Sequence, residues 1–174
     1  MIVVFNELEI ERLNSIGEHS EELSELLIQV VGDGGSIGFL PPLELVDAMK
    51  YWEEVLSPNV FLFVAKLNNR IIGSIQLHIC TKPNGLHRAE IAKLMTHPHY
   101  RRKGVGRLLI EKAEEIAVKE KKSLLVLDTR EGDPSNHLYN NLGYIKAGKI
   151  PNYAKSVSGE LHGTNIYYKE LESF

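Results

Sequence analysis

The chain has 174 residues, 43% of them hydrophobic and 25% charged, with a formal net charge of −3. That is enough for one domain around a buried core, read as a single unit over residues 1–174. Mild acidity and only 7% aromatics argue against a nucleic-acid surface. The single cysteine, Cys80, excludes an internal disulfide, fits a reducing cytoplasm, and reads as a small buried strand residue. No apolar run is long enough for a membrane span, and Met1–Glu9, apolar and then acidic, does not read as a signal peptide.

Residues 2–5 read as a short first strand. From Ser20, expected as an N-cap ahead of Glu21 and Glu22, the residues Leu23, Leu26, Leu27, Val30 and Val31 recur at helical spacing. Glycines at 32, 34, 35 and 38 end that helix. A second amphipathic segment is expected over residues 43–56, with Leu43, Val46, Met49 and Trp52 inward. Val60–Leu67 and Arg70–Ile79 flank Asn68-Asn69, a pair that tolerates the positive φ of a tight turn, and predict a β-hairpin. After the loop Thr81–His87 comes a strand over residues 88–96, then a basic glycine turn. From Gly104 a helix is expected, with Leu108, Leu109, Ala113, Ile116 and Ala117 inward.

Leu124–Leu127 is a continuous apolar run ending at Asp128, the pattern of a strand covered on both faces. Asp133-Pro134 reads as a cap and first-turn proline for a short helix over residues 134–142, stopped by Gly143. Strands over residues 144–150 and 164–171 complete the order. The unit spanning 90–128 is strand–helix–strand, so its strands should be parallel with a right-handed crossover. The fold class is a mixed α/β (α+β) sheet and not a full doubly wound one.

The feature that carries chemistry is the turn Arg101-Arg102-Lys103-Gly104-Val105-Gly106, followed by Arg107, between a strand and a helix. Unpaired N–H groups at a helix start attract anions, and glycine lets a phosphate approach the backbone. Without further context the same residues read as a solvated basic face. The spacing matches neither a P-loop nor a dinucleotide fingerprint, because Leu109 stands where the third glycine would be.

Arg101-x-x-Gly104-x-Gly106 resembles the acetyl-CoA motif of the GNAT N-acetyltransferase superfamily, in which Gln or Arg precedes Gly and then Gly or Ala at this spacing. Asn136-x-x-Tyr139-x-x-Leu142-Gly143-Tyr144 is similar, in shortened form, to the second segment of that family. Gly34–Phe39, Lys82–Glu90, Leu127–Thr129 and Gly159–His162 resemble the tabtoxin-resistance acetyltransferases. The resemblance implies a GNAT fold of about six to seven strands, largely antiparallel with a splayed central parallel pair, and about four flanking helices. It also implies acetyl-CoA as co-substrate, transferred to the primary amine of a small amino-acid-like molecule by direct attack in a ternary complex.

Carried over residue by residue, Arg101, Arg102, Lys103, Gly104, Val105, Gly106 and Arg107 would cradle the cofactor phosphates. The backbone of Leu94 and Met95 would hold the pantetheine, and Asn136 would bond the cofactor. Tyr139 would protonate the departing sulfur, while Glu90 and Asp128 would act as acid–base or amine contacts, directly or through a water. Read from the residues alone, Tyr139 suits packing better than catalysis, and Asp128 suits a turn or cap equally well. A carboxylate closing an apolar strand is, however, a candidate for a raised pKa.

His97 and His99 flank Pro98 without Cys or Glu at zinc spacing, so no metal site is expected. Tyr153 and His162 are candidates for a substrate wall, whereas His87, His137 and His162 read first as surface or structural residues and only second as pocket residues. A non-catalytic acetyl-CoA sensor and a protein N-acetyltransferase are the alternatives, and a homodimer is left open by the resemblance.

Overall fold

The computed structural model describes residues 8–172. The strands are β1 (Leu8–Leu13), β2 (Val60–Leu67), β3 (Arg70–Ile79), β4 (Arg88–Thr96), β5 (Leu124–Arg130), β6 (Ile145–Lys155) and β7 (Leu161–Glu170). The helices are α1 (Ser20–Gly32), α2 (Leu45–Glu53), α3 (Val105–Lys119) and α4 (Ser135–Asn141). The strand expected at residues 2–5 lies outside the described residues. The first strand seen, β1, carries the alternation Leu8-Glu9-Ile10-Glu11, a period-2 signal that sequence reading passed over.

One sheet joins the strands in the order β1-β2-β3-β4-β5-β7-β6. Every neighbouring pair is antiparallel except β4–β5, which is parallel, as the strand–helix–strand unit requires. The predicted hairpin forms, and Asn68 and Asn69 take φ of 51° and 62°, the left-handed pair of a type I′ turn. The mixed sheet with four helices agrees with the expected fold class.

The helices cover the sheet from both sides. Leu23, Leu26, Leu27, Val30 and Val31 of α1 pack with Trp52 on Leu62, Val64 and Ile71. On the opposite face Leu109, Ile110, Ala113 and Ala117 of α3 cover Phe63, Ile75 and Leu77. Gly73 on β3 permits this approach, because a Cβ there would stand 2.9 Å from both the Met95 carbonyl oxygen and a Val105 methyl. Each fully buried Leu, Ile or Phe contributes about 1.5–3 kcal/mol, so two such layers account for most of what holds the sheet.

Several local expectations are corrected. Ser20 lies inside α1 behind a 3-10 turn at Gly17–His19, and its hydroxyl is buried without a partner, so it is no cap. Glu22 instead ties the helix to the sheet by accepting from the Ile71 N–H. In α2, which begins only at Leu45, Ala48 and Trp52 are the buried positions while Val46 is 72% exposed. In α3, Leu108 faces outward and Ile110 takes the inward place. Asp133 does not cap α4; its carboxylate accepts from Arg130 at 2.9 Å.

Candidate active site

The parallel pairing of β4 with β5 lasts only from Arg88–Leu124 to Glu90–Val126. Beyond it β4 stays with β3 and β5 stays with β7, so the two strands diverge. Main-chain groups of Ile91–Thr96 on the β5 side therefore have no strand partner, and a buried unpaired peptide group needs one. A cleft of about 930 Å³ opens at this seam, lined by Leu94, Met95, Gly104, Gly106, Asp128 and Tyr139 among others. Its walls include residues packed toward both faces of the sheet, so it passes through the seam and can be approached from either side.

At one end stands the basic turn. Gly104 has φ of +80° and a Cβ there would touch nothing within 4 Å, so glycine is required by the left-handed backbone and not by crowding. Its carbonyl accepts from the Leu108 N–H, leaving the N–H groups of Val105, Gly106 and Arg107 as the unpaired first turn of α3. Gly106 is different: a Cβ there would come within 3.1 Å of Leu138, so its absence lets α3 sit against α4 beside Leu94.

The cations divide. Arg101, Arg102 and Arg107 line the cleft; Lys103 does not, its ammonium sitting 5.6 Å over the Tyr100 ring. Arg101 is ion-paired to Asp33 from the glycine loop, and Arg107 to Glu111 at 2.9 Å.

Tyr139 is buried from α4 and still faces the cleft, wedged between Tyr144 and Tyr167 at centroid distances of 5.5 and 5.9 Å. Burial, and secondarily the charge of Asp128, push its phenol far above the usual range, so the hydroxyl keeps its proton. Asn136, expected to bond the cofactor, has its side chain engaged within the protein. Its amide donates to the carbonyls of Arg130 and Asp133 at 2.9 and 2.8 Å, and its oxygen accepts from Asn165 and Tyr167 at 2.9 Å. It lies outside the lining and holds α4 to β5 and β7.

Glu90 and Asp128 meet on the opposite side of the seam, and both line the cleft. Partial desolvation, then the charge of Asp128, raise the Glu90 pKa above the ordinary carboxylate value, against an opposing pull from Lys93. Asp128 accepts a hydrogen bond from Thr164 at 2.8 Å, which aims it from the end of β5. Tyr153 lines the cleft, whereas His87, His137 and His162 do not. His97 and His99 stack edge-on at 5.1 Å, and among the described residues no three potential metal ligands gather.

Sequence reading missed Lys93, Thr164 and Arg130. Arg130 donates to the Gly34 carbonyl at 3.0 Å and helps hold the glycine loop across the cleft. Thr164 comes from a distant strand, and Lys93 sits at a bulge; its one signal was a charge at the alternating position between the apolar Ile91 and Met95.

An opened parallel seam, a glycine-turn anion site at one end and a buried tyrosine facing paired carboxylates suit an acyl donor bearing phosphates. The acetyltransferase (GNAT) family model matches residues 36–144, which includes the seam, the turn and α4. The chain belongs to the GNAT acetyltransferase family. It is an N-acetyltransferase with acetyl-CoA as donor, and the free backbone of β4 and the unpaired first turn of α3 fit that molecule. Among solved structures, a GNAT-family acetyltransferase from Streptococcus pneumoniae is 20% identical over 95% of this chain and 100% of its own, with a TM-score of 0.79. A Salmonella typhimurium protein solved with its cofactor acetyl-CoA is 16% identical over 97% of this chain and 96% of its own, TM-score 0.79. A protein provisionally named a phosphinothricin N-acetyltransferase is 20% identical over 96% and 100%, TM-score 0.80. At these identities the likenesses speak for the fold. No described helix is long and apolar enough to cross a membrane.

Proposed function

We propose that this acetyltransferase acetylates the primary amine of a small amino-acid-like molecule, the amine attacking the thioester directly while both substrates are bound. The observation that carries this reading is the seam between β4 and β5, which has Tyr139 on one side and Glu90 with Asp128 on the other. Main-chain groups of Leu94 and Met95 hold the pantetheine arm in the gap, where an N–H can polarise the thioester carbonyl. Glu90 or Asp128 takes a proton from the acceptor ammonium, directly or through a water, so that the neutral amine attacks. As the carbon–sulfur bond breaks, the Tyr139 phenol, kept protonated at neutral pH by its raised pKa, supplies the proton that the thiolate needs. The second proton shed by the attacking nitrogen returns through water to restore the phenol. An amino-acid-like acceptor is favoured by the resemblance of the segments around Gly34–Phe39 and Lys82–Glu90, and by the provisional name of one fold neighbour.

The test is thiol release from acetyl-CoA against a panel of free amino acids and simple amines, with products identified by mass. Turnover of at least one small amine is expected. Acetyl-CoA binding without any turnover would point to a sensor, and turnover of peptide N-termini alone would point to a protein acetyltransferase. Tyr139→Phe should lower kcat by about 10²–10⁴, the range of a lost general acid, while changing the KM for acetyl-CoA far less. Parent-like kcat in that variant would remove the tyrosine from the mechanism.

A further inference from the structure

We propose that Lys93 is a specificity-determining residue of the acceptor half of the cleft, its ammonium receiving the carboxylate of a zwitterionic acceptor whose amine faces Glu90 and Asp128. The inference rests on the small-amine reading above and names the group that makes the acceptor amino-acid-like.

Three observations carry it. First, the backbone is bent to bring Lys93 there. Pairing of β3 with β4 passes from Ser74–Met95 to Gln76–Ala92, which leaves an extra residue on β4, and Lys93 takes φ of +53°. A non-glycine residue in that region is strained, and such bulges re-aim a side chain. Ile91 packs toward α3 and Met95 toward α1, so the face changes across Lys93.

Second, the ammonium is aimed. It donates to the Ile37 carbonyl at 2.6 Å and lies 5.8 Å from the centroid of the Phe39 ring. It packs closely on the loop at Gly38, where a Cβ would stand 2.9 Å from the nitrogen.

Third, the charges in this part of the cleft are unspent. Among the described residues no ion pair joins Lys93 to Glu90 or Asp128, although all three line the cavity and feel one another's charge. Among the described residues the Asp128 carboxylate accepts only from the Thr164 hydroxyl, the Lys93 ammonium donates only to one backbone carbonyl, and the Glu90 carboxylate has no hydrogen-bond partner. Charges of opposite sign held apart across a cavity are complemented by a dipolar ligand that spans them.

The experiment compares kcat/KM for free L-amino acids, each beside its own α-carboxamide, in the parent, Lys93→Met and Lys93→Arg. Taking the variant-to-parent change in the acid-to-amide ratio cancels the lower amine pKa of the amides. That ratio should fall about 10- to 100-fold in Lys93→Met, the value of a charge-assisted hydrogen bond, and recover in part in Lys93→Arg. Equal loss for acid and amide would overturn the proposal and leave Lys93 as a loop anchor. If no small amine is acetylated, the functional reading fails separately. The Lys93 assignment is then judged by calorimetric titration of the same amino acids into the CoA-saturated protein. Binding of acids over amides that Lys93→Met abolishes supports it, and absence of that preference overturns it.

Discussion

Glu90, proposed above as an acid–base or amine contact, holds a position that is costly to the fold. Its folded-state pKa lies above the unfolded one, chiefly from desolvation and then from Asp128. The folded chain therefore binds this proton more tightly. The associated stability is fully present below the unfolded carboxylate value and is lost as pH rises through the raised folded value. Glutamine resembles the protonated form and does not incur that loss. Glu90→Gln should thus raise Tm at pH 8 by a small amount, on the order of 1–2 °C given how far solvent screens the site, with the gap closing toward pH 4. If Glu90 is the base, the same variant should lose the rise of kcat/KM with pH that the parent shows across the raised pKa. A thermal melt at both pH values and one pH–rate profile test the two halves independently. A parent more stable than Glu90→Gln at pH 8 would contradict the assignment of a strained carboxylate.

At the scale of elements, α4 decides whether Tyr139 is in place. Its seven residues are too few to hold a helix in water, so its position must come from tertiary bonds. Asn136 supplies them, with hydrogen bonds reaching Arg130, Asp133, Asn165 and Tyr167. Asn136→Ala leaves several of these groups unpaired and should cost about 2–4 kcal/mol in urea unfolding, with a fall in kcat as Tyr139 loses its setting. A loss of acetyl-CoA affinity at unchanged stability would restore the direct cofactor contact that the sequence suggested. The contrast shows what was legible. Proline and glycine punctuation placed α4 to within a residue or so, because those signals are local. The partners of Asn136 were not legible, because Asn165 and Tyr167 arrive from β7, and a motif in one segment carries no record of what a later strand brings. The bulge at Lys93 escaped for a related reason: its bend is imposed by the pairing with β3 and not by residues around Lys93 that would announce a turn.

For the whole molecule, the strand–helix–strand unit made the parallel pair legible, and the basic glycine turn gave one end of the site. Where that pair comes apart was legible only through the family resemblance, which put the gap at Leu94 and Met95; the residues alone do not show it, since β7 claims β5 along its full length and leaves β4 with β3 alone. The distribution of charge was also only half legible. The chain is acidic overall, yet the cations at the turn are the proposed attraction for a donor with several phosphates, and two of them are already engaged: Arg107 pairs with Glu111 on its own helix, and Arg101 with Asp33 on the glycine loop. Both partners are close to half exposed, so the pair is worth about 0–1 kcal/mol and can be exchanged for a phosphate at little cost. Asp33→Asn removes the competitor and should tighten acetyl-CoA binding by about two- to fivefold at low ionic strength. The advantage should vanish in about 0.5 M salt, where the Debye length falls to a few ångströms and both the competition and the attraction are screened. Titration of acetyl-CoA into parent and variant at two salt concentrations measures this directly. Weaker binding in Asp33→Asn would reverse the reading: Asp33 would then be the group that holds Arg101 in the pose a phosphate needs, and the glycine loop would belong to the donor site as much as to the acceptor side.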